Sequence, residues 1–178
     1  SADGVEIIKT FTFKEGDYPV NVSYQVVNRS AQNWQGQMFG QLKRDNSEDP
    51  GKSDQGIFTL GTFLGGAWGT PDEHYNKLKF ANFSEEKLSV DAKDAWVAMV
   101  QHYFVSAWIP GDIKLTQGEG QAFTAKLESR KSADNMNIIG FTSPTITVPA
   151  GTVAEVDATF YSGPKIQSEL KDLAVGLN

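Results

Sequence analysis

Residues 95–110 are apolar at odd and even positions alike: Trp96, Val97, Ala98, Met99, Val100, Phe104, Val105, Ala107, Trp108 and Ile109 leave no polar face along either period. Periodicity by itself admits a helix or a strand here. Aromatic and β-branched residues are frequent, Pro110 and Gly111 offer a stop, and the flanking segments alternate, so a strand is expected. A strand that is oily on both sides must be covered on both sides, which places it at the centre of a layered structure.

The rest of the chain supplies the layers. Val5, Ile7, Phe11 and Phe13 fall on one face at period two; after the turn residues Lys14-Glu15-Gly16-Asp17, the alternation resumes with Val20, Val22, Tyr24 and Val26. These two segments predict an antiparallel hairpin. Further strands are expected over 37–43, 56–63, 113–117, 122–128, 137–142, 145–148 and 152–161, separated by glycine and proline. About ten short strands bounded by turns mean a β-sandwich. Residues 44–55 are the most hydrophilic part and read as a long surface loop, 29–35 as a polar connection and 64–69 as a glycine-rich aromatic bend. Thr70-Pro71-Asp72-Glu73 has the form of a helix start: a threonine cap, proline in the first turn and glutamate at the capping-box position.

Near the C-terminus the period changes. Ile166, Leu170, Leu173 and Leu177 share one helical face, with Ser162 as cap, Pro164 in the first turn and Gly176 at the stop. The expected division is therefore a sandwich over 1–161 and an amphipathic helix over 162–178 that packs on it or on something beside it.

Charge narrows the partners. Twenty-two acidic against sixteen basic side chains leave a net charge of −6, which repels phosphate backbones and excludes nucleic acid as a partner. No apolar run reaches the roughly 20 residues of a spanning helix, and the first residues carry neither the basic nor the apolar region of a signal peptide. The piece is therefore expected to be soluble. Cysteine is absent, which removes disulfides, thiolate metal sites and cysteine nucleophiles and suits an oxidising compartment.

The residues of chemistry are sparse. His74 and His102 are the only histidines and lie in no ligand-spaced cluster; His102 is expected in the core and His74 at the surface. Glu155 and Asp157 share the face of a strand whose other face is apolar, the pattern of a solvated sheet surface. No nucleophile elbow, dinucleotide fingerprint or phosphate loop is present. No catalytic residue, metal ligand or cofactor is expected. Trp34 and Trp68 are expected in loops, where they would suit contact with a ligand or another protein. Trp96 and Trp108 are expected inside.

Several stretches carry a resemblance: Phe39-Gly40-Gln41-Leu42-Lys43, Thr70-Pro71-Asp72-Glu73 with Tyr75, Trp96 through Phe104 continuing into Ala107-Trp108-Ile109-Pro110, and Gly163-Pro164-Lys165-Ile166-Gln167. Together with 18–28 they resemble, in order and spacing, the large periplasmic domain of the YidC-type membrane-protein insertases, over nearly the whole chain. The resemblance implies a β-supersandwich related to the galactose-mutarotase fold, with a C-terminal helix leading toward a membrane core that lies beyond this sequence. A transmembrane helix and leading strands are expected before it. It implies a location on the periplasmic face of the inner membrane and support of membrane-protein insertion with the Sec translocon. The implied partners are the Sec accessory subunits SecD and SecF and substrate membrane proteins. The positions carried over as a contact surface are Phe39, Gln41, Lys43, Thr62, Phe63, Thr70, Pro71, Tyr75 and Lys79. The sequence departs from the family pattern over 44–55 and 111–133. Mutarotase chemistry needs a histidine and a carboxylate across a cleft, and no such pair is legible. The alternative reading is a carbohydrate- or peptide-binding sandwich module using Trp34 or Trp68.

Overall fold

The computed structural model describes residues 4–48, 63–116 and 118–177. Its strands are β1 (Val5–Phe13), β2 (Pro19–Asn28), β3 (Trp34–Gly36), β4 (Phe39–Arg44), β5 (Gly65–Gly69), β6 (Asn76–Lys79), β7 (Ser89–Ala92) and β8 (Trp96–Val100). They continue with β9 (Phe104–Leu115), β10 (Gln121–Ala122), β11 (Ala125–Lys131), β12 (Asn137–Thr142), β13 (Ile146–Val148) and β14 (Val153–Pro164), and one helix, α1 (Gln167–Leu173), follows. An eight-stranded sheet runs β1-β2-β14-β9-β8-β5-β6, with β10 added beside β9. A four-stranded sheet, β4-β12-β11-β7, lies against it, and β3 pairs with β13. All pairings are antiparallel. The protein is an all-β sandwich with a short C-terminal helix.

The apolar run 95–110 is two strands. β8 and β9 form a hairpin turned at 101–103, in which Val100 pairs with Val105 and Val97 with Trp108. Every residue of β8 is buried, and its alternation divides two clusters. Val97 and Met99 join Val22, Leu127, Ile139, Phe141 and Val156 between the sheets. Trp96, Ala98 and Val100 face the other way, where Tyr161, Leu170 and Leu177 meet them. The central, doubly covered position follows from the pattern, and α1 is the second cover.

The expected stop at Pro110-Gly111 does not occur: β9 runs through both to Leu115. Pro110 pairs with Ala158, and directly after it a register shift sets Gly111 and Asp112 against the single Asp157 of β14, so the proline borders a bulge, where a strand tolerates a residue without an amide hydrogen. Asp157 closes the bulge, its Oδ1 accepting from the Asp112 amide at 2.8 Å and its Oδ2 from Asn21 at 3.3 Å. A Cβ on Gly111 would lie 2.0 Å from that Oδ1, so a side chain there would displace the carboxylate that closes the bulge.

Three other expectations are corrected. The 64–69 bend is strand β5, paired on both sides with β6 and β8. Its glycines serve close packing: a Cβ on Gly66 would stand 2.8 Å from the Phe83 ring and one on Gly69 2.6 Å from the Trp96 indole. Thr70 through Glu73 starts no helix. Thr70 Oγ1 does accept from the Glu73 amide at 3.0 Å, but the Thr70 amide donates to the Glu73 carbonyl at 2.9 Å, closing a turn between β5 and β6. So few residues between two strand anchors cannot repay helix nucleation. Within 29–35, Trp34 and Gln35 belong to strand β3, not to a loop.

The expected strand over 56–63 lies, apart from Phe63, outside the described residues, as do 49–55 of the expected loop.

Candidate functional site

Each group of residues singled out from the sequence has a place in the layers. On β4, Gly40 and Leu42 are buried while Phe39, Gln41 and Lys43 point outward from the four-stranded sheet. A Cβ at Gly40 would be 2.6 Å from the Phe141 ring and 2.8 Å from the Trp108 indole, so the glycine lets β4 lie flat on the core and present its other face. Phe39 is 64% exposed. Lys43 Nζ pairs with Asp134 at 3.1 Å. The Ser132 hydroxyl, and after it the Lys43 ammonium, hold the Asp134 carboxyl below the usual carboxylate range.

The second group lies along the β5–β6 edge of the large sheet. Pro71, Tyr75 and Lys79 are at the surface. Thr70 is buried, its hydroxyl taken up by the turn. Phe63 is half-buried with Lys77 Nζ 5.3 Å from its ring centre. The Tyr75 ring tilts against Trp96 at 5.5 Å, and burial pushes its hydroxyl pKa up. Arg44, at the end of β4, stands 5.9 Å from the Phe80 ring just past β6. Thr62 lies outside the described residues.

Trp34 and Trp68 are both half-buried strand residues packed on the core between the sheets, not loop residues. Trp34 lines a cleft of about 410 Å³ with Ile7, Lys9, Tyr24, Met38 and Phe39. Its ring folds over Gly36, where a Cβ would be 2.2 Å away. The walls come from β1, β2, β3, β13, β14 and the chain from Gln37 into β4, so distant strands converge on a cleft that no local motif announces.

The C-terminal helix is shorter than its apolar stripe. β14 continues to Pro164, so Ser162 is a strand residue whose hydroxyl meets that of Ser106 at 3.0 Å rather than a cap. Ile166 stands at the cap position without a side-chain hydrogen bond and is 38% exposed. Leu170 and Leu177 are buried against Trp96, Ala98 and Val100, with Leu173 half-buried beside them. Beyond the helix the Trp96 indole donates to the Val175 carbonyl at 3.0 Å. Gly176, at φ 77°, passes so close to the His74 carbonyl that a Cβ would lie 2.1 Å from it. The chain's last described residues are thereby tied to the β5–β6 turn, a contact with no signal in the sequence beyond the glycine. Tyr161 donates to the Pro164 carbonyl at 2.6 Å where the strand hands over to the helix. Burial, then the nearby Glu169 and Tyr18, raise its hydroxyl pKa.

His102 is a correction. It stands half-buried on the β8–β9 turn with its ring 4.1 Å from that of Tyr103, not in the core, because the apolar run breaks there to reverse direction. His74 is exposed on the β5–β6 turn, Glu155 is exposed, and Asp157 is engaged in the bulge. Among the described residues no helix is long and apolar enough to cross a membrane.

A model of the YidC periplasmic domain matches residues 1–178. The membrane protein insertase YidC of Stutzerimonas stutzeri is 44% identical over 99% of this chain, which covers 30% of that protein. That of Pseudomonas putida is likewise 44% identical over 99% of the chain and 30% of its own length. The Pseudomonas aeruginosa protein of the same name is 39% identical over 99% of the chain and 32% of its length. The chain thus spans less than a third of the curated relatives it matches.

Proposed function

The chain belongs to the YidC periplasmic-domain family, and from that premise we propose that it is a non-catalytic docking and spacing module at the periplasmic face of the inner membrane. In this reading it supports the insertion and folding of inner-membrane proteins and meets the Sec accessory subunits SecD and SecF. In the relatives about 70% of the length lies outside the matched part, and in this reading insertion itself belongs to that part. The observation that carries the docking role is the outward row on β4. A strand whose inner face is sealed onto Trp108 and Phe141 holds Phe39, Gln41 and Lys43 at fixed spacing, with the phenyl ring 64% exposed where it borders the Trp34 cleft. An exposed aromatic on a rigid strand, flanked by polar groups, is the composition of a contact centre.

A photocrosslinker placed at Gln41 of the intact insertase is expected to capture SecD or SecF in membranes, and Phe39→Asp to cut that yield about tenfold. Absence of any adduct from Gln41, with adducts from unrelated surface positions, would sink the assignment.

The Trp34 cleft favours a second reading, the binding of an extended apolar peptide. Its apolar walls and single lysine suit a peptide better than a sugar, which needs a denser set of polar groups. Titration with extended peptides is expected to shift the tryptophan emission, and Trp34→Phe to abolish the shift. A glycan-only response, or none, would retire this reading.

A further inference from the structure

One end of the eight-stranded sheet collects large apolar side chains that the fold covers only in part. The register brings them together: Phe13 pairs with Val20, Tyr161 with Pro19, and Pro164 with Phe104. The Lys165 amide donates to the Tyr103 carbonyl at 2.9 Å. At this end Phe13 is 73% exposed, Tyr103 62%, Phe104 55%, Tyr18 43% and Ile166 38%. Tyr18 is held in place, its ring centre 6.0 Å from that of Tyr161 and its face against Gly163, where a Cβ would be 2.8 Å away.

Charge marks the same end. The charged groups on and beside its turns are Lys14, Glu15, Asp17, Lys165 and, near Tyr161, Glu169, and Lys14 pairs with Asp17 at 2.7 Å. They sum to −1 on a chain whose net charge is −6. This end therefore carries little of the charge by which an anionic surface would repel the chain.

The contour selects the partner. The rings stand on separate turns, and the Pro164–Phe104 pair lies three residues, roughly 10 Å, beyond the Tyr161–Pro19 pair along the strands. Between Tyr18 and Phe104 the surface dips into a hollow of about 540 Å³ that includes the paired Ser106 and Ser162 hydroxyls. A folded partner, or a second copy, needs roughly 800 Å² of matched surface on each side, and staggered tips around a polar dip do not provide it. Lipid headgroups are fluid and fill such a contour, and aromatic side chains prefer the boundary between headgroups and acyl chains.

We infer that this end of the sheet is a bilayer-contact edge, whose aromatic tips settle into the interface of a phospholipid membrane and orient the domain upon it. The inference rests on the reading that the domain works at a membrane surface, and it adds which edge faces the lipid.

The test is flotation of the 178-residue chain with vesicles of phosphatidylethanolamine and phosphatidylglycerol. The wild-type chain is expected to float, with no loss between about 50 mM and about 500 mM salt because the contact is apolar. A Phe13→Ser, Tyr103→Ser, Phe104→Ser variant should partition about tenfold or more less well, with an unchanged circular dichroism spectrum because all three side chains are exposed. Leu115→Ser, an exposed apolar position on the far end of β9, should float like wild type. Failure of the wild-type chain to float, equal flotation of the triple variant, or loss of flotation at high salt would overturn the inference. So would wild-type dimers that the triple variant abolishes, which would make the edge a self-association surface. Lipids alone are present, so a floating chain whose Gln41 yields no adduct in cells would sink the docking role and leave the edge standing. The converse pair of results would do the opposite.

Discussion

Leu170→Asp with Leu173→Asp, introduced into the intact insertase, is expected to abolish its support of membrane-protein insertion while leaving the two-sheet sandwich folded. Leu170 is 3% exposed in the cluster made by Trp96, Ala98, Val100, Val105 and Tyr161. Lys77 and Lys165 line the hollow beside Leu170, but a carboxylate at 170 loses the leucine's apolar contacts and sets a polar group against that cluster, a cost of about 2–5 kcal/mol. A helix of seven residues has no stability of its own to oppose this. Its release uncovers one face of β8 but not the core between the sheets, because Val97 and Met99 point the other way. Limited trypsin treatment of the isolated chain should then cut at Lys165 and Lys171 far faster than in wild type. Normal insertion by a variant that shows this cleavage would refute the helix's functional role. Resistance to cleavage would refute its dependence on Leu170.

Trp96→Ala should be the most destabilising single substitution among the four tryptophans, by about 3–5 kcal/mol. For a chain of this size that corresponds to a fall in Tm of about 10 °C. Trp96 is fully buried, and it joins three elements: Ala67 and Ala98 in its cluster, Tyr75 at 5.5 Å, and the Val175 carbonyl through its indole. Trp34, Trp68 and Trp108 are only half-buried. The Trp108 indole nitrogen is buried without a hydrogen-bond partner, so its removal loses apolar contact and relieves an unmet donor. Denaturant unfolding of the four alanine variants gives the ranking, and a Trp96 loss smaller than that at Trp108 would contradict it.

The same residue illustrates how far local pattern reaches. The β1–β2 hairpin was legible because its partners are neighbours in sequence and alternation alone states the inner face, as Val22 and Val26 confirm. The outer strand was less so: Ile7, Phe11 and Phe13 have the alternation of a core face yet are exposed, because β1 is the sheet's edge and the described four-stranded sheet does not reach over it. The glycines of β5 read as a bend, since glycine's usual meaning is a turn. Their use is set by Phe83 and Trp96, residues that arrive from elsewhere in the chain. The capping box at Thr70 formed its hydrogen bond and still gave no helix, because the strands on either side were already committed to each other.

By itself the sequence determined that this is a layered β protein, that β8 sits at its centre, and that the chain belongs with the insertase periplasmic domains. The first two follow from the order of apolar and polar side chains, which no folding can alter, and the third from the particular residues that the chain shares with that family. Only the tertiary structure decided that Trp34 and Trp68 lie on strands, that His102 is at a turn, that Ile166 stays outside the helix's buried stripe, and that Phe13, Tyr18, Tyr103 and Phe104 share one edge. Those outcomes depend on which distant segments lie side by side. That choice is made by the summed burial and pairing of the whole chain, and no window of neighbouring residues contains it.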